Sequence, residues 1–219
     1  MSGRIIAIGD IHGYSKSLAA LIEAIDPQPA DTLVPLGDYV DRGMDTKGVI
    51  ELLIQLAGRC RLRPILGNHD EMVLAIRSGL DEAFLDWLSF GGTTTLYSYG
   101  CLHPREIPED HIAFLESCLP YFETERHFFT HAGYVPDFPL DLQPPEVLRW
   151  VSLRDGPPEP HVSGKTAIVG HTAQKDREIL DLGHVVCIDT HIYGGGWLTA
   201  MDVESRRTWQ ADDEGKLRE

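Results

Sequence analysis

Five short stretches of this chain set acid, imidazole or amide side chains beside glycine. They are Gly9-Asp10-Ile11-His12-Gly13, Gly37-Asp38-Tyr39-Val40-Asp41-Arg42-Gly43, Gly67-Asn68-His69-Asp70, His131-Ala132-Gly133 and Gly170-His171-Thr172. Carboxylate and imidazole donors together suit divalent Mn²⁺, Fe or Zn²⁺, and no thiolate stands among them to favour a soft structural ion. The glycines permit tight turns that bring loop backbones close to an ion. One carboxylate, for which Asp38 is the best placed, can bridge two ions ~3.5–4 Å apart, the separation of two-metal hydrolytic sites. A water between two such cations is acidic enough to be hydroxide near neutral pH and to act as the nucleophile of a hydrolysis. The departing alkoxide then needs a proton, which an imidazole held by a carboxylate supplies well. Any one stretch is a weak signal, since an Asp and a His two apart often arise by chance. All five in this order, each after a strand-like run, make a strong one.

Elements of regular structure must deliver these loops. Arg4 to Ile8, Thr32 to Leu36 and Leu62 to Leu66 read as strands. Ser15 to Ile25 has helical periodicity at Leu18, Leu21, Ile22 and Ile25, with Pro27 as its stop. Thr46 to Ala57 places Val49, Ile50, Leu53 and Ile54 on one helical face, and a third helix starts near Asp70, where Asp70 and Glu71 suit a positive helix N-terminus. Such alternation predicts a parallel-type sheet with ligands at the carboxyl ends of its strands. Residues 80–120 differ: they look helical, break at Gly91-Gly92, and are expected to form a small cap. Further strands are expected at His127–Thr130, Thr166–Val169, His184–Ile188, Trp197–Val203 and Thr208–Ala211. The expected fold class is α/β, a two-layered β-sandwich flanked by helices, with residues 1–219 as one domain.

Composition narrows the field. The chain has 219 residues, of which 42% are apolar, and a net charge of −15 from 19 basic and 34 acidic side chains. Nucleic-acid binding draws on clustered Lys and Arg, so DNA or RNA is not the expected partner. No apolar run reaches the ~20 residues that span a bilayer, and Met1 to Ile8 lacks a secretory leader's pattern. A cytoplasmic protein without a membrane partner is expected, and no feature specifies its oligomeric state. Cys60, Cys101, Cys118 and Cys187 are scattered, which favours buried reduced thiols over a zinc knuckle or disulfides.

The run GDIHG, GDYVDRG, GNHD, HAG, GHT resembles the phosphoprotein-phosphatase family of calcineurin-like metallophosphoesterases, in particular its small lambda-type bacterial and phage members. The likeness covers essentially the whole chain, including Ile188-Asp189-Thr190 and the turn and strand that follow. It implies that Asp10, His12 and Asp38 hold one metal, and that Asp38 bridges to a second completed by Asn68, His131 and His171. It further implies His69 as general acid, Asp41 as the carboxylate that orients it, and Arg42 on the phosphate oxygens. Asn68 and Arg154 join Arg42 as substrate contacts. Two family arginines are replaced, by Leu66 before Gly-Asn-His and by Ser152 after Trp150, with Arg149 and Arg154 close by in sequence.

The substrate expected from this likeness is a phosphorylated protein, chiefly at serine or threonine, or a small phosphoester, and the cofactor two divalent ions, Mn²⁺ foremost. Leu66 is also similar to the symmetrical diadenosine tetraphosphatases, which keeps a dinucleotide hydrolase as the alternative. A catalytically silent metal-binding module is disfavoured because every ligand, with Asp41, Arg42 and His69, is present. Among the remaining residues, His191 is expected at the site rim and Asp70 as a helix-start acid. His103, His111, His127, His161, His184, Trp87, Trp150 and Trp197 are expected in packing or surface roles, and Asp212-Asp213-Glu214 as a solvated tail.

Overall fold

The computed structural model describes residues 3–219, so the reading of Met1 and Ser2 lies outside it. In chain order the elements are β1 (Ile5–Ile8), α1 (Ser15–Ile25), β2 (Thr32–Pro35), α2 (Thr46–Ala57), β3 (Arg61–Leu62), α3 (Asn68–Ser78), α4 (Phe84–Trp87), α5 (Thr93–Tyr99), α6 (Glu109–Glu116), β4 (Phe122–Glu123) and β5 (His127–Phe129). They continue with α7 (Pro145–Trp150), β6 (Thr166–Val169), β7 (Leu180–Asp181), β8 (Val185–Cys187), β9 (Leu198–Asp202) and β10 (Thr208–Ala211).

Two mixed five-stranded sheets result, ordered β10-β9-β1-β2-β3 and β4-β5-β6-β8-β7. β1, β2 and β3 run parallel, as do β5, β6 and β8, whereas β9 and β10 in the first sheet and β4 and β7 in the second pair antiparallel. The expected parallel core is therefore present in each sheet, with antiparallel strands added outside it.

The period-two geometry of a strand explains how so short a set of strands builds three buried layers. In β1, Ala7 faces Val34, Phe129, Ile168 and Val186 between the sheets, while Ile6 and Ile8 face α1, α2 and α3. In the second sheet, Phe129 and Ile168 point inward, and Phe128, Ala167 and Val169 point outward onto Tyr134, Leu140 and Leu153.

Some boundaries differ from expectation. β3 is shorter than expected, covering Arg61–Leu62, although Arg63 and Ile65 still donate to the Leu33 and Pro35 carbonyls; Ile65 also forms an isolated bridge to Leu119. α3 starts at Asn68, two residues before Asp70, so Asn68 and His69 sit in its first turn. Ile54, expected on the buried face of α2, is 38% exposed, and Leu56 is buried instead. Residues 80–120 are helical and bend at Gly91, whose φ of 115° only glycine adopts readily. These helices pack against α2 and α3.

Candidate metal centre and active site

The carboxyl ends of β1, β2, β5, β6 and β8 meet at one edge of the sandwich, and each continues into a loop bearing polar side chains. The backbone there is unusually contorted. His12, Asp38, Asp41, Arg42, His171 and His191 all have positive φ, between 46° and 69°. Such conformations cost non-glycine residues energy and concentrate at functional sites. The glycines are needed for closeness as well as for turning. A Cβ on Gly67 would lie 2.2 Å from the Asp38 nitrogen, and one on Gly170 would lie 2.1 Å from Asp10 Oδ1.

Asp38 is the hub. Ligand atoms of His12, Asp38 and His69 lie within 4.8 Å of one another, as do those of Asp38, His131 and His171. The tautomers of two imidazoles follow from their partners. His12 Nδ1 lies 2.9 Å from the Val40 carbonyl, and His131 Nδ1 2.7 Å from that of Leu36. A carbonyl only accepts, so each Nδ1 carries the hydrogen and each Nε2 offers a lone pair. Those lone pairs face opposite oxygens of Asp38, at 3.5 Å and 3.4 Å. A backbone carbonyl that fixes the outer nitrogen while the inner one faces a carboxylate is how metal-binding histidines are held.

Asn68 closes the second half. Its Oδ1 stands 2.9 Å from His131 Nε2 and 3.1 Å from His171 Nδ1. Since His131 Nε2 bears no hydrogen, two acceptors face each other, a contact that a shared cation relieves. Asp10 lies behind His171 and accepts its N–H with both oxygens, at 3.1 and 3.0 Å.

Electrostatics agree with cation binding. Burial raises the Asp10 carboxyl well above its usual range, and neighbouring Asp189 and Asp38 add to this. Burial likewise pushes Asp189 up to about 6, and its Oδ2 is buried with no hydrogen-bond partner. Burial lowers His12, with Arg42 adding to the effect, and lowers His171 to about 4, so both stay neutral and free to ligate. The Asp38 carboxyl, by contrast, is held low despite its burial. Buried carboxylates, neutral imidazoles and an unpartnered oxygen converge beside Arg42. This donor set fits divalent ions.

The His69–Asp41 pair stands at one side. His69 Nδ1 donates to Asp41 Oδ2 at 2.7 Å. The residues 80–120 supply the support: Trp87 Nε1 donates to the same oxygen at 2.9 Å, and Thr95 Oγ1 donates to Asp41 Oδ1 at 2.7 Å while accepting the Asp41 N–H. Burial works against an imidazolium at His69, yet the Asp38 and Asp41 carboxylates prevail and its pKa is raised. Arg42 lies between the halves. Its guanidinium donates to His12 Nε2 at 2.8 Å and to His69 Nε2 at 3.1 Å, and stacks over Tyr193 at 3.9 Å from the ring centre. Arg42 therefore covers the Nε2 atoms of both His12 and His69.

The structure thus brings Asp10, His12, Asp38, Asn68, His69, His131, His171, Asp41 and Arg42 to one place. Arg154 is set apart on the rim, exposed, donating to the Ala173 carbonyl. Arg149 is committed elsewhere, to Glu71 at 2.6 Å. His191 sits at the rim against Tyr193, with ring centres 4.6 Å apart.

Asp70 stands in the first turn of α3, as expected of a helix-start acid, and does more: fully buried, it accepts the N–H groups of Asp38, Tyr39 and Gly67 at 2.8–3.0 Å and ties the β2 loop to the start of α3. Asp212-Asp213-Glu214 is not a solvated tail but a turn anchored on α1, with Ser17 Oγ on the Asp212 carbonyl and Lys16 on Glu214. Trp87 packs in the core as expected but also holds Asp41. Asp189 and Tyr193 were missed as site residues because no spacing rule marks them.

Comparison with known proteins decides the family. Residues 3–198 match the calcineurin-like phosphoesterase family. The chain belongs to it. It is a dimetal phosphoesterase of this family, 30% identical over 220 residues to serine/threonine-protein phosphatase 1 of Salmonella typhimurium, with 90% of each chain covered. It is also 42% identical to a symmetrical bis(5'-nucleosyl)-tetraphosphatase of Edwardsiella ictaluri, over 78 residues, 35% of this chain and 27% of that one. The phosphoesterase thus spans only about a quarter of that relative's length. Among solved structures it resembles a candidate diadenosine tetraphosphatase, at TM-score 0.72 and 26% identity over 96% of this chain and 94% of that one. A cold-active protein tyrosine phosphatase shares the fold at TM-score 0.71 and 18% identity, over 100% of this chain and 78% of that one. No helix is long and apolar enough to cross a membrane among the described residues.

Proposed function

We propose that this phosphoesterase is a protein phosphatase that removes phosphate from serine and threonine side chains, with Mn²⁺ as its preferred metal. Asp10, His12 and Asp38 would hold one ion and Asp38, Asn68, His131 and His171 the other. The observation that carries the substrate reading is the alignment with a serine/threonine phosphatase along 90% of both chains, where the tetraphosphatase alignment is local. Residues 1–219 are read as one domain in which segment 80–120 buttresses Asp41.

When bound by these residues, two divalent cations would supply Lewis acidity for water activation and would offset charge on the phosphate oxygens. The chain's own residues do the rest. Arg42, released from His12 and His69, gives a planar two-pronged donor to the phosphate. Its place over Tyr193 keeps it close to that position. His69 Nε2, freed of Arg42 and protonated, delivers its hydrogen to the departing serine oxygen. Asp41 holds the ring by Nδ1 and favours the imidazolium, while Trp87 and Thr95 hold Asp41. Asn68 is placed to contact the phosphate with its amide hydrogens while its carbonyl faces the ligand cluster.

A second reading, hydrolysis of dinucleoside tetraphosphates, is favoured by the 42% local identity, the TM-score of 0.72 and Leu66. Steady-state turnover of a phosphoserine peptide and of diadenosine tetraphosphate separates the two. A higher kcat/KM on the peptide supports the phosphatase reading; a higher value on the dinucleotide overturns it.

A further inference from the structure

Ligands and Arg42 account for one phosphate, and the charge around them is uneven. On one flank Arg42 borders a groove of about 530 Å³ shared with Tyr14, Met44, Asp45, Asp213 and Glu214. Its other cation, Lys16, is already spent on Glu214 at 2.7 Å. That flank is acidic.

The other flank begins at the Arg42–Tyr193–His191 stack and is cationic. The loop after His171 carries Lys175 and Arg177, and Arg154 reaches over the same loop to the Ala173 carbonyl. Burial, followed by Arg42, Lys175, Arg154 and Arg177, lowers the pKa of His191, so these four charges share one neighbourhood.

Several exposed cations elsewhere are matched to carboxylates, among them Lys165 to Glu123, Arg206 to Asp181 and Arg218 to Glu178, whereas Arg59, Arg61, Arg63, Arg207 and Lys216 are not but lie away from Arg42 and His191 in sequence. Among the described residues, Arg154, Lys175 and Arg177 have no such partner within 4.0 Å. Arg154 and Arg177 are nonetheless held. Arg177 adopts φ 67° and donates its N–H to the Gln174 carbonyl at 2.9 Å, and its guanidinium lies 3.5 Å from where a Cβ on Gly195 would stand. Gln174 N–H donates to the Asp189 carbonyl at 2.8 Å, and His191 N–H to Asp189 Oδ1 at 3.0 Å. A rim of unpaired cations beside a phosphate site, in a chain of net charge −15, is placed to recognise a second negative group.

We propose that Arg154, Lys175, Arg177 and His191 form a subsite for a second anionic group of a phosphopeptide, an acidic or phosphorylated side chain flanking the phosphoserine. The inference rests on the protein-phosphatase reading and adds a sequence preference to it. A dinucleoside tetraphosphate suits this cleft less well, because one of its two anionic arms would face Asp45, Asp213 and Glu214.

The test measures kcat/KM of the metal-loaded full chain on phosphoserine peptides whose flank is acidic, doubly phosphorylated, neutral or basic, with diadenosine tetraphosphate alongside. At low salt the acidic and doubly phosphorylated peptides are expected to exceed the neutral one by about tenfold, a ratio that shrinks as salt screens the rim. The double variant Lys175→Glu/Arg177→Glu is expected to abolish or invert this ratio, and the milder Lys175→Gln/Arg177→Gln to reduce it. Both positions are exposed, so the fold should tolerate either pair. Equal kcat/KM on all peptides, or a preference that survives charge reversal, overturns the subsite while leaving the phosphatase reading intact. No peptide turnover with brisk dinucleotide turnover overturns the reading itself, and the subsite with it.

Discussion

The loops that follow the first sheet and those that follow the second contribute to one centre in different ways. From the first sheet come Asp10, His12, Asp38, Asp41, Arg42, Asn68 and His69, within three short glycine-bounded loops. There main-chain partners dictate geometry: Val40 and Leu36 carbonyls orient His12 and His131, and Asp70 gathers three N–H groups to hold the Asp38 turn. From the second sheet come single ligands, His131 and His171, in longer connections that also carry Asp189, His191, Tyr193 and the cationic rim. On this account the chemistry draws on ligands from both sets, and substrate preference on the cationic rim of the second. Damage to a ligand of either set should remove the reaction, and damage to the rim should change what is turned over.

The largest effect is expected at Asp38. Asp38→Asn removes the carboxylate that both ligand groups share, and it should lose bound metal and roughly 10³-fold or more of kcat on every ester. Elemental analysis together with steady-state rates checks this; full metal retention would show that Asp38 is no bridge.

His69→Asn comes next and should discriminate between esters. It should keep its metal, lose roughly 10²–10³-fold on a phosphoserine peptide, and lose far less on p-nitrophenyl phosphate, whose leaving group needs little protonation. Equal losses on both would remove the acid role. The pH profile carries the same information. Because the His69 pKa is raised above its ordinary 6.5, its acid form persists into neutral pH, and peptide turnover should fall only as pH rises above that point. In His69→Asn that basic limb should vanish.

Supports should matter less than the groups they hold. Trp87→Phe deletes one donor to Asp41 Oδ2 and retains most of the ring's bulk. Loss of a hydrogen bond to a charged group, about 1.5–3 kcal/mol, bounds the penalty. The expected reduction of about tenfold in kcat on peptides, with the phosphoserine-to-nitrophenyl ratio shifted in the same sense as for His69→Asn, is read by parallel kinetics on the two esters. Smallest in activity but visible in stability is Asp70→Asn. Three buried N–H groups that share the Asp70 carboxyl would then meet one carbonyl oxygen and an amide N–H₂, and about 1–3 kcal/mol, or a Tm lower by roughly 2–10 °C, should follow in thermal denaturation.

The legibility of the two halves followed the same division. Glycine-bounded loops after short β-branched strands can be read from sequence because ligand identity and spacing lie within a few residues. The central strands and the first two helices were visible for a similar reason: apolar periodicity is local. What escaped was non-local. The pairings of β4 and β7 involve two residues each, too few for a pattern. The link from Trp87 and Thr95 to Asp41 spans 46 and 54 residues. Asp189 and Tyr193 gain their significance only when the second sheet packs on the first. Arg149 and Arg154, both near the family's missing arginine in sequence, end in different roles because Glu71 captures one of them.

The central claim is that two ions, held around Asp38, are required for ester hydrolysis. Chelator-stripped protein titrated with Mn²⁺, with bound metal counted by elemental analysis and turnover of p-nitrophenyl phosphate followed in the same samples, tests it directly. The account predicts that activity rises with occupancy and is complete at two ions per chain. Full activity with one ion or none would contradict it.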